Sequence, residues 1–437
     1  MTSTLRRAAG FAAVGSLAFA TPVLGIAAAV PFAVVAAVAA FVGEDGRLFE
    51  LFARPGDRQD GRLTGLLGFA LAAAALAVLA TVPETRLPVS AFVAAVVVVA
   101  YGNLGEQLAS RWNDGAFHAV AGFTVAGFLA AVGGQALVVS ATNEALTVPK
   151  LTFLAAVGVF VAALLREVLL KHDDPLVLVS TGLLLWLFHE LPIDVSPLEV
   201  AAALALTVVL GYVSYALGTA SVAGMLTGIL LGVLTIVLGG FGWFAVLITF
   251  FGVGALSTKF KYESKRRRGV AEENDGARGS GNVLGNAAVA MAAVLGYAAT
   301  EQAGVELLFL FAFAGSLATA MSDTLSSEVG GLFDTPRLIT TLREVEPGTD
   351  GAVTWQGELA GLLGAVLVAA VAALTLPLAP PLVGALIVTL GGVSGMTVDS
   401  LLGATVEGNR VGNQAVNFLA TLSGAVVSIA LAAFLLL

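Results

Sequence analysis

Two aspartates that each follow a long apolar run are the residues of this chain best suited to chemistry. Asp323 follows the run 304–322, Asp399 follows the run 381–397, and each begins an Asp-Ser/Thr-Leu sequence. A carboxylate beside a membrane span is costly to place, so such residues commonly have a function. Carboxylate oxygens are ligands that Mg²⁺ takes together with substrate phosphates. The pair therefore predicts a metal and phosphate site at one membrane face.

The segment after the first aspartate adds further oxygen ligands. If the helix continues for one more turn, Ser326 and Ser327 share a face with Asp323 at spacings i+3 and i+4. In a helix, Glu407 likewise shares a face with Asp399. We predict that Mg²⁺ is held by three carboxylates and one hydroxyl: Asp323, Ser327, Glu328 and Asp399.

Residues suited to binding phosphate occupy the polar segments around the two aspartates. Arginine makes bidentate phosphate contacts, and Gly279 and Gly281 let backbone N–H groups face an anion. The Pro-Gly and Asp-Gly turns of 347–351 can present amides in the same way. Lys259, at the end of a span, is predicted to be a catalytic cation. The predicted phosphate and substrate contacts are Arg278, Arg337, Gly348, Thr349, Asp350, Gly351, Asn282, Asn286, Asn413 and Asn417.

The composition places these residues in a membrane protein. The 437 residues are 58% hydrophobic and 12% charged, with a mean hydropathy of +0.95, whereas soluble domains are about 45–50% apolar and about 25% charged. No cysteine is present, which excludes disulfides and thiolate metal sites. The net charge of −9 argues against nucleic acid as a partner.

Windows of about 20 apolar residues predict an all-α, polytopic membrane helical bundle of about 15 transmembrane spans. Part of the N-terminal run imitates a signal peptide, but the apolar sequence continues to Val42, so we interpret it as two retained spans or a hairpin. The predicted spans are 8–21, 23–42, 64–82, 88–101, 116–140, 151–165, 175–189, 197–216, 220–239, 241–257, 282–300, 304–322, 357–378, 381–397 and 414–437.

The distribution of cations predicts the orientation of the bundle. With the N-terminus in the cytoplasm, only Arg86 and Lys150 of the 21 Lys and Arg fall outside, as the positive-inside rule expects. The candidate loops then face the cytoplasm from a multi-pass protein of the cell membrane. The cationic run 265–268 is interpreted as topology control and attraction to anionic headgroups.

The chain is predicted to have two membrane halves. Residues 1–195 have no role that their sequence indicates, and residues 196–437 carry the candidate chemistry. The segment Gly102-Asn103-Leu104 is similar to Asp323-Thr324-Leu325. One interpretation is a degenerate repeat in which Asn103 replaces the aspartate, and the other is chance likeness between Gly-rich helices.

Acidic residues for Mg²⁺, basic residues for phosphate and an adjacent lipid phase favour phosphoryl or nucleotidyl transfer to a lipid. No Gly-x-Ser-x-Gly sequence and no Walker-type loop is present. One alternative is a cytidylyltransferase that forms a CDP-lipid. Another is an ion-coupled transporter, which would place both aspartates near the membrane midplane. A third is a structural membrane protein.

At these residues the chain resembles the phytyl-phosphate kinase family, also called the transmembrane protein 19 family. The resemblance covers about 200–437 and rests on pieces in matching order: Gly254, Thr258-Lys259, Arg278-Gly279, Val283, Gly285-Asn286, Ser322-Asp323-Thr324, Ser327-Glu328-Val329-Gly330, Pro336-Arg337-Leu338-Ile339-Thr340-Thr341, Pro347-Gly348-Thr349-Asp350-Gly351, Gly357, Asp399-Ser400-Leu401-Leu402-Gly403-Ala404-Thr405, Asn413 and Asn417-Phe418.

The resemblance implies that a nucleoside triphosphate, CTP or ATP, phosphorylates an isoprenoid (prenyl) monophosphate to its diphosphate. It also implies distant kinship with CTP-dependent dolichol and phytol kinases and with CDP-diacylglycerol synthases. The sequence departs from the family at Glu407, where some members carry Gln, and at an acidic insert before Arg278. The donor nucleotide, the prenyl acceptor and the oligomeric state stay open.

Overall fold

The computed structural model describes residues 3–44, 46–85, 87–142, 144–168, 174–271, 276–378, 380–407 and 411–437. Arg86, Lys171, Arg410 and the acidic segment 272–275 lie outside the described residues. The chain divides into two compact units, Met1–Ala202 and Ala203–Leu437, so the division falls within a helix that begins at Pro197. Each unit is described by itself.

The first unit is built from helices. Its elements are α1 (Ser3–Gly15), a 3-10 turn (Ser16–Ala20), α2 (Thr21–Leu24), a 3-10 turn (Gly25–Ala28), α3 (Ala29–Phe41), α4 (Arg47–Phe52), α5 (Pro55–Asp60), α6 (Thr64–Thr81), α7 (Val89–Ala109), α8 (Ala116–Ala141), α9 (Val148–Val168) and α10 (Asp174–Glu190). Residues 90–100 of α7 are all buried. Because this run is apolar on every side, α7 can be covered all round by α1, α8, α9 and α10.

The second unit holds the predicted site. Its elements are α11 (Pro197–Ala216), α12 (Val222–Gly239), α13 (Phe241–Lys259), α14 (Tyr262–Arg267), α15 (Ser280–Ala298), α16 (Ala303–Gly330), β1 (Arg337–Leu338), β2 (Ala352–Val353), α17 (Trp355–Thr375), α18 (Pro381–Gly403) and α19 (Asn413–Leu436). The antiparallel strands pair Arg337 with Val353 and Leu338 with Ala352. Both strands lie in the long connection between α16 and α17, and their pairing joins its two ends.

Helix α16 is the centre of the second unit, and residues 310–322 are buried along it. It packs against α13, α15, α17, α18 and α19. The hydroxyl of Thr319 donates to the carbonyls of Gly315 at 3.0 Å and Gly391 at 3.3 Å. Side chains added at Gly395 or Gly424 would overlap Thr319. Small residues therefore let α18 and α19 approach α16 closely, as in membrane helix pairs.

The predicted all-α, polytopic membrane bundle is confirmed, although the number of spans differs. Within the described ranges, 13 helices are long and apolar enough to cross a membrane. The predicted spans 8–21 and 23–42 form one helical segment, Thr4–Phe41, interrupted by 3-10 turns and by the positive φ of Gly25. The predicted span 175–189 lies in α10, which has only 17 residues. The cytoplasmic position of the N-terminus stays a prediction.

Candidate functional site

A polar cavity of about 450 Å³ lies in the second unit where four helices end or begin. The last turns of α16 and α18 meet the first turns of α15 and α19 there, and the segment 347–354 covers one side. Most of the predicted site residues line this cavity: Arg278, Asn282, Asn286, Asp323, Ser327, Glu328, Gly348, Thr349, Asp350, Gly351, Asp399, Asn413 and Asn417. Residues that are distant in sequence therefore share one space.

The two aspartates are in direct contact. Asp323 lies in the last two turns of α16, Asp399 lies in the last turn of α18, and their side chains hydrogen-bond to each other. The Oδ1 atom of Asp399 is buried and has no hydrogen-bond partner among the described residues. Two touching carboxyl groups repel when both are ionised, so they need a shared proton or a cation. A buried, unpaired oxygen is also costly, and a cation would satisfy it.

Close packing fixes the position of Asp323. The preceding residue, Ser322, is fully buried, and its hydroxyl donates to the carbonyl of Gly361 in α17 at 2.8 Å. A side chain at Gly361 would collide with Met396 of α18. Three helices are thereby held in register just before the aspartates.

The carboxylate of Glu407, which follows the end of α18, lines the same cavity. Burial raises the pKa of Glu407, and the nearby carboxylates of Asp350 and Asp323 raise it further. In the described part of the chain, no group of three or more His, Cys, Asp or Glu is arranged to hold a metal by itself. A divalent ion would therefore depend on phosphate oxygens and water as well as the aspartates, which is the usual behaviour of Mg²⁺.

The other two predicted metal ligands are engaged elsewhere. The hydroxyl of Ser327 donates to the backbone carbonyl of Asp323 at 2.9 Å. The carboxylate of Glu328 pairs with the ammonium of Lys265. Both residues line the cavity, but their side chains are bonded to other protein groups. The two aspartates therefore provide the oxygens available to a metal ion.

Lys265 is a residue that the sequence interpretation missed. It is 1% exposed, and its ammonium donates to the carbonyls of Ser257 at 3.0 Å and Thr258 at 2.8 Å as well as to Glu328. The interpretation of this lysine as a headgroup contact is wrong. It lies on the inner face of the short helix α14, and four adjacent cations give no sign of which one is buried.

Arg278 is buried and held at several points. Its guanidinium lies 5.6 Å from the centre of the Phe250 ring. A Cβ at Gly254 would stand 3.0 Å from both terminal nitrogens, so this glycine leaves room for the guanidinium. The Arg278 backbone bonds to the turn between α11 and α12, with Ser221 donating to it at 3.1 Å and Thr219 accepting at 3.0 Å. The cation is therefore positioned in advance at the cavity.

Four asparagines stand in the first two turns of the two helices that begin at the cavity. Asn286 donates to the backbone carbonyl of Asn282 at 2.9 Å. The N-cap residues of α15 and α19 are Gly279 and Gly412, and a glycine has no side chain that could accept a hydrogen bond from the first N–H groups of the helix. The first N–H groups of α15 and α19 are thus suited to face an anion.

The segment 347–351 closes against the end of α18. Gly348 and Gly351 have positive φ angles of 87° and 72°, a conformation that glycine adopts without strain. A side chain at Gly351 would overlap backbone atoms of Ser400 and Ala404. This close approach brings the loop amides to the same cavity as Asp399.

Two predicted residues do not line the cavity. The ammonium of Lys259 lies 5.9 Å from the centre of the Tyr262 ring. Arg337, in β1, is exposed and pairs with Glu344 at 3.2 Å. The predicted catalytic role of Lys259 and the predicted phosphate contact of Arg337 are therefore not supported by the positions of these side chains. Nearness to a span end in sequence does not determine the direction in which a long side chain points.

Comparison with known proteins gives a consistent family for the second unit. The family described as "Integral membrane protein DUF92" matches residues 205–425. "Protein VTE6, chloroplastic" of Arabidopsis thaliana is 32% identical over 222 residues, which are 49% of this chain and 66% of that protein, just under two thirds of its length.

Two microbial relatives match the same part of the chain. "Uncharacterized membrane protein MJ0933" of Methanocaldococcus jannaschii is 34% identical over 212 residues, 47% of this chain and 83% of the relative. "Uncharacterized membrane protein sll0875" of Synechocystis is 34% identical over 206 residues, 45% of this chain and 78% of the relative. No solved structure matches the chain.

Proposed function

This chain belongs to the integral membrane protein family DUF92, and from that premise we propose that it is a Mg²⁺-dependent membrane kinase. The reaction transfers a phosphoryl group from a nucleoside triphosphate, CTP or ATP, to an isoprenoid monophosphate. The observation that carries the proposal is the contact between Asp323 and Asp399 in a cavity that also contains Arg278. Carboxylates, an arginine and loop amides are the groups that position phosphates and neutralise their charge.

The residues have distinct roles in this proposal. Asp323 and Asp399 are the residues that would hold the divalent cation, which would supply neutralisation of phosphate charge. Arg278 binds phosphate oxygens, because its guanidinium is already fixed over Phe250. Amides of the loop 348–351 and the four asparagines orient the two phosphate-bearing substrates. An oxygen of the acceptor phosphate then attacks the terminal phosphorus of the donor, and the nucleoside diphosphate leaves.

The position of the carboxylates favours an enzyme over a transporter. Asp323 and Asp399 lie in the last two turns and the last turn of their helices. A coupling-ion site of a transporter would lie near the middle of its spans. At helix ends, the cavity can take a water-soluble nucleotide, while the tail of a lipid phosphate stays among apolar helices.

The proposal is tested with purified protein, CTP or ATP, Mg²⁺ and geranylgeranyl or phytyl monophosphate. We expect prenyl diphosphate and nucleoside diphosphate as products, and a loss of about 100-fold or more in turnover for Asp323→Asn. The matched control is Asp334→Asn, since Asp334 is 85% exposed and lies outside the cavity lining. Release of pyrophosphate would instead identify a cytidylyltransferase, and full activity of Asp323→Asn would contradict the site.

A further inference from the structure

A second cavity of about 80 Å³ lies in the same unit between α11, α12 and α13. Apolar side chains dominate its wall, among them Met225, Phe244, Leu247, Ile248 and Phe251. We call it the apolar groove. Its lining on α13 extends from Phe244 to Ala255, which corresponds to about 16 Å along the helix axis. The groove is thus narrow and elongated.

Two threonine hydroxyls in the wall of the groove already have hydrogen-bond partners. Thr207 donates to the carbonyl of Ala203 at 2.8 Å, and Thr219 donates to the carbonyl of Ser214 at 2.9 Å. An apolar occupant would therefore leave neither hydroxyl without a hydrogen bond, so its burial carries no such penalty.

Arg278 lines both the apolar groove and the polar cavity. Its backbone is fixed to the turn between α11 and α12, and its guanidinium lies between Gly254 and the Phe250 ring. One buried cation therefore separates a space suited to phosphates from a space suited to hydrocarbon. A ligand with a phosphate head and an apolar tail matches this order of chemistries.

We propose that the apolar groove binds the first part of the hydrocarbon tail of the lipid phosphate whose head lies at Arg278. This inference rests on the proposed function, and it makes the groove the determinant of tail length and tail shape. Burial of each methylene group strengthens binding, so affinity rises with the tail until the groove is filled. The rest of a long tail lies among lipid.

Gly228 of α12 provides a sharp test. It lines the groove, and a Cβ at this position meets no atom within 4 Å, so the backbone leaves room to begin a side chain there, and a leucine is expected to occupy part of the groove. Gly252 of α13 supplies the matched control. A Cβ there also meets no atom within 4 Å, and the residue is exposed and lies outside the groove lining.

The experiment measures the affinity of purified protein for dimethylallyl, geranyl and geranylgeranyl monophosphates without nucleotide, by calorimetry. We expect wild-type affinity to rise with tail length. Gly228→Leu should lower the affinity for geranylgeranyl monophosphate about tenfold, equivalent to about 1.4 kcal/mol, and leave dimethylallyl monophosphate within about twofold. Gly252→Leu should leave both unchanged. Gly228→Ala, which suits a helix better than glycine, should give a smaller loss and serves if the leucine variant does not fold.

The outcomes separate this inference from the kinase proposal. Three outcomes would contradict tail binding in the groove, even if the protein is an active kinase. They are equal losses of affinity for short and long tails, unchanged affinity in both Gly228 variants, and a wild-type affinity that does not depend on tail length. Suppose that affinity depends on tail length, that Gly228→Leu abolishes this dependence, and that no donor yields diphosphate. This result would support tail binding in the groove and contradict the proposed kinase activity.

Discussion

At the level of single residues, the site contains carboxylates that face the cavity and a salt bridge that stabilises the cavity wall. Asp323 and Asp399 present oxygens to the cavity, whereas Glu328, in the cavity wall, pairs with the buried Lys265. Breaking such a pair by removing one partner leaves an uncompensated charge in a region of low dielectric. The two kinds of residue therefore predict different consequences of substitution.

We expect Lys265→Met to destabilise the protein by about 3–5 kcal/mol, because Glu328 would keep a largely buried charge without its partner. Thermal unfolding in detergent measures the effect. The double variant Lys265→Met/Glu328→Gln should recover part of the loss, and Arg267→Met, at an exposed position of the same helix, should remain close to wild type. A double variant no more stable than the single variant would contradict the pairing argument.

Glu407 predicts a pH dependence of stability in metal-free protein. Burial raises the pKa of Glu407, with Asp350 and Asp323 adding to the effect, so the folded state holds the proton more tightly than the unfolded state. The resulting stability is present below the ordinary pKa of a glutamate, about 4.3, and is lost as pH rises through the raised pKa.

We therefore expect Glu407→Gln to unfold at a higher temperature than wild type at pH 7.5 in EDTA, with the difference vanishing near pH 4. Glu407 is partly exposed, so solvent screening keeps the difference small. Unfolding curves at a series of pH values give the measurement. A difference that does not change with pH would show that the charge of Glu407 is not its cause.

At the scale of elements, the loop 347–351 forms one side of the cavity and packs closely against the end of α18. Gly351 is crowded by backbone atoms of Ser400 and Ala404, whereas the nearest atom to a Cβ at Gly348 is a methyl carbon of Val270 at 3.4 Å. Both glycines have positive φ. A comparison of the two positions separates backbone strain from crowding.

We expect Gly348→Ala to cost about 1–2 kcal/mol, the penalty for a left-handed alanine. Gly351→Ala should destabilise the protein more, because it adds overlap with the end of α18 to the same backbone strain. The loss of turnover, expressed as a free energy, should be at least as large as the loss of stability. Unfolding temperature and steady-state kinetics measure both effects. Equal stability losses in the two variants would indicate that the close contact with α18 is absent in solution.

At the scale of the whole molecule, the family relationship predicted from motifs is confirmed, and the match occupies the second unit. The first unit has its own buried network, in which Asp174 pairs with Arg54 and Arg166, and Arg166 also bonds to Glu106 at 2.8 Å. The predicted degenerate repeat around Asn103 stays a prediction.

We expect Asp174→Asn to destabilise the first unit by about 3–5 kcal/mol, because both arginines lose a largely buried partner. The kcat/KM of the protein that remains folded should stay within about twofold of wild type, since the proposed chemistry lies in the second unit. Unfolding and kinetics on the same preparation test this. The control is Glu50→Gln, which removes an exposed pair with Arg58 and should cost less than about 1 kcal/mol. A selective loss of turnover in folded Asp174→Asn would assign the first unit a catalytic role.

Local sequence patterns were enough to predict the membrane bundle, the importance of the two aspartates and the glycine loop. Hydropathy, span length and turn chemistry are local properties, and Gly348 and Gly351, which stand in the predicted turn, have positive φ angles. The sequence did not predict that α10 has only 17 residues or that Thr4–Phe41 forms one helical segment, because helix breaks depend on packing as well as on hydropathy.

Which side chains contact each other became evident from the packing of the helices. The contact of Asp323 with Asp399 and the burial of Lys265 follow from how helices pack. Packing also leaves Lys259 and Arg337 outside the lining of the cavity. Neighbouring cations in a sequence look alike, and their burial depends on which helix face meets another element. Packing acts between residues far apart along the chain, so local patterns do not encode it.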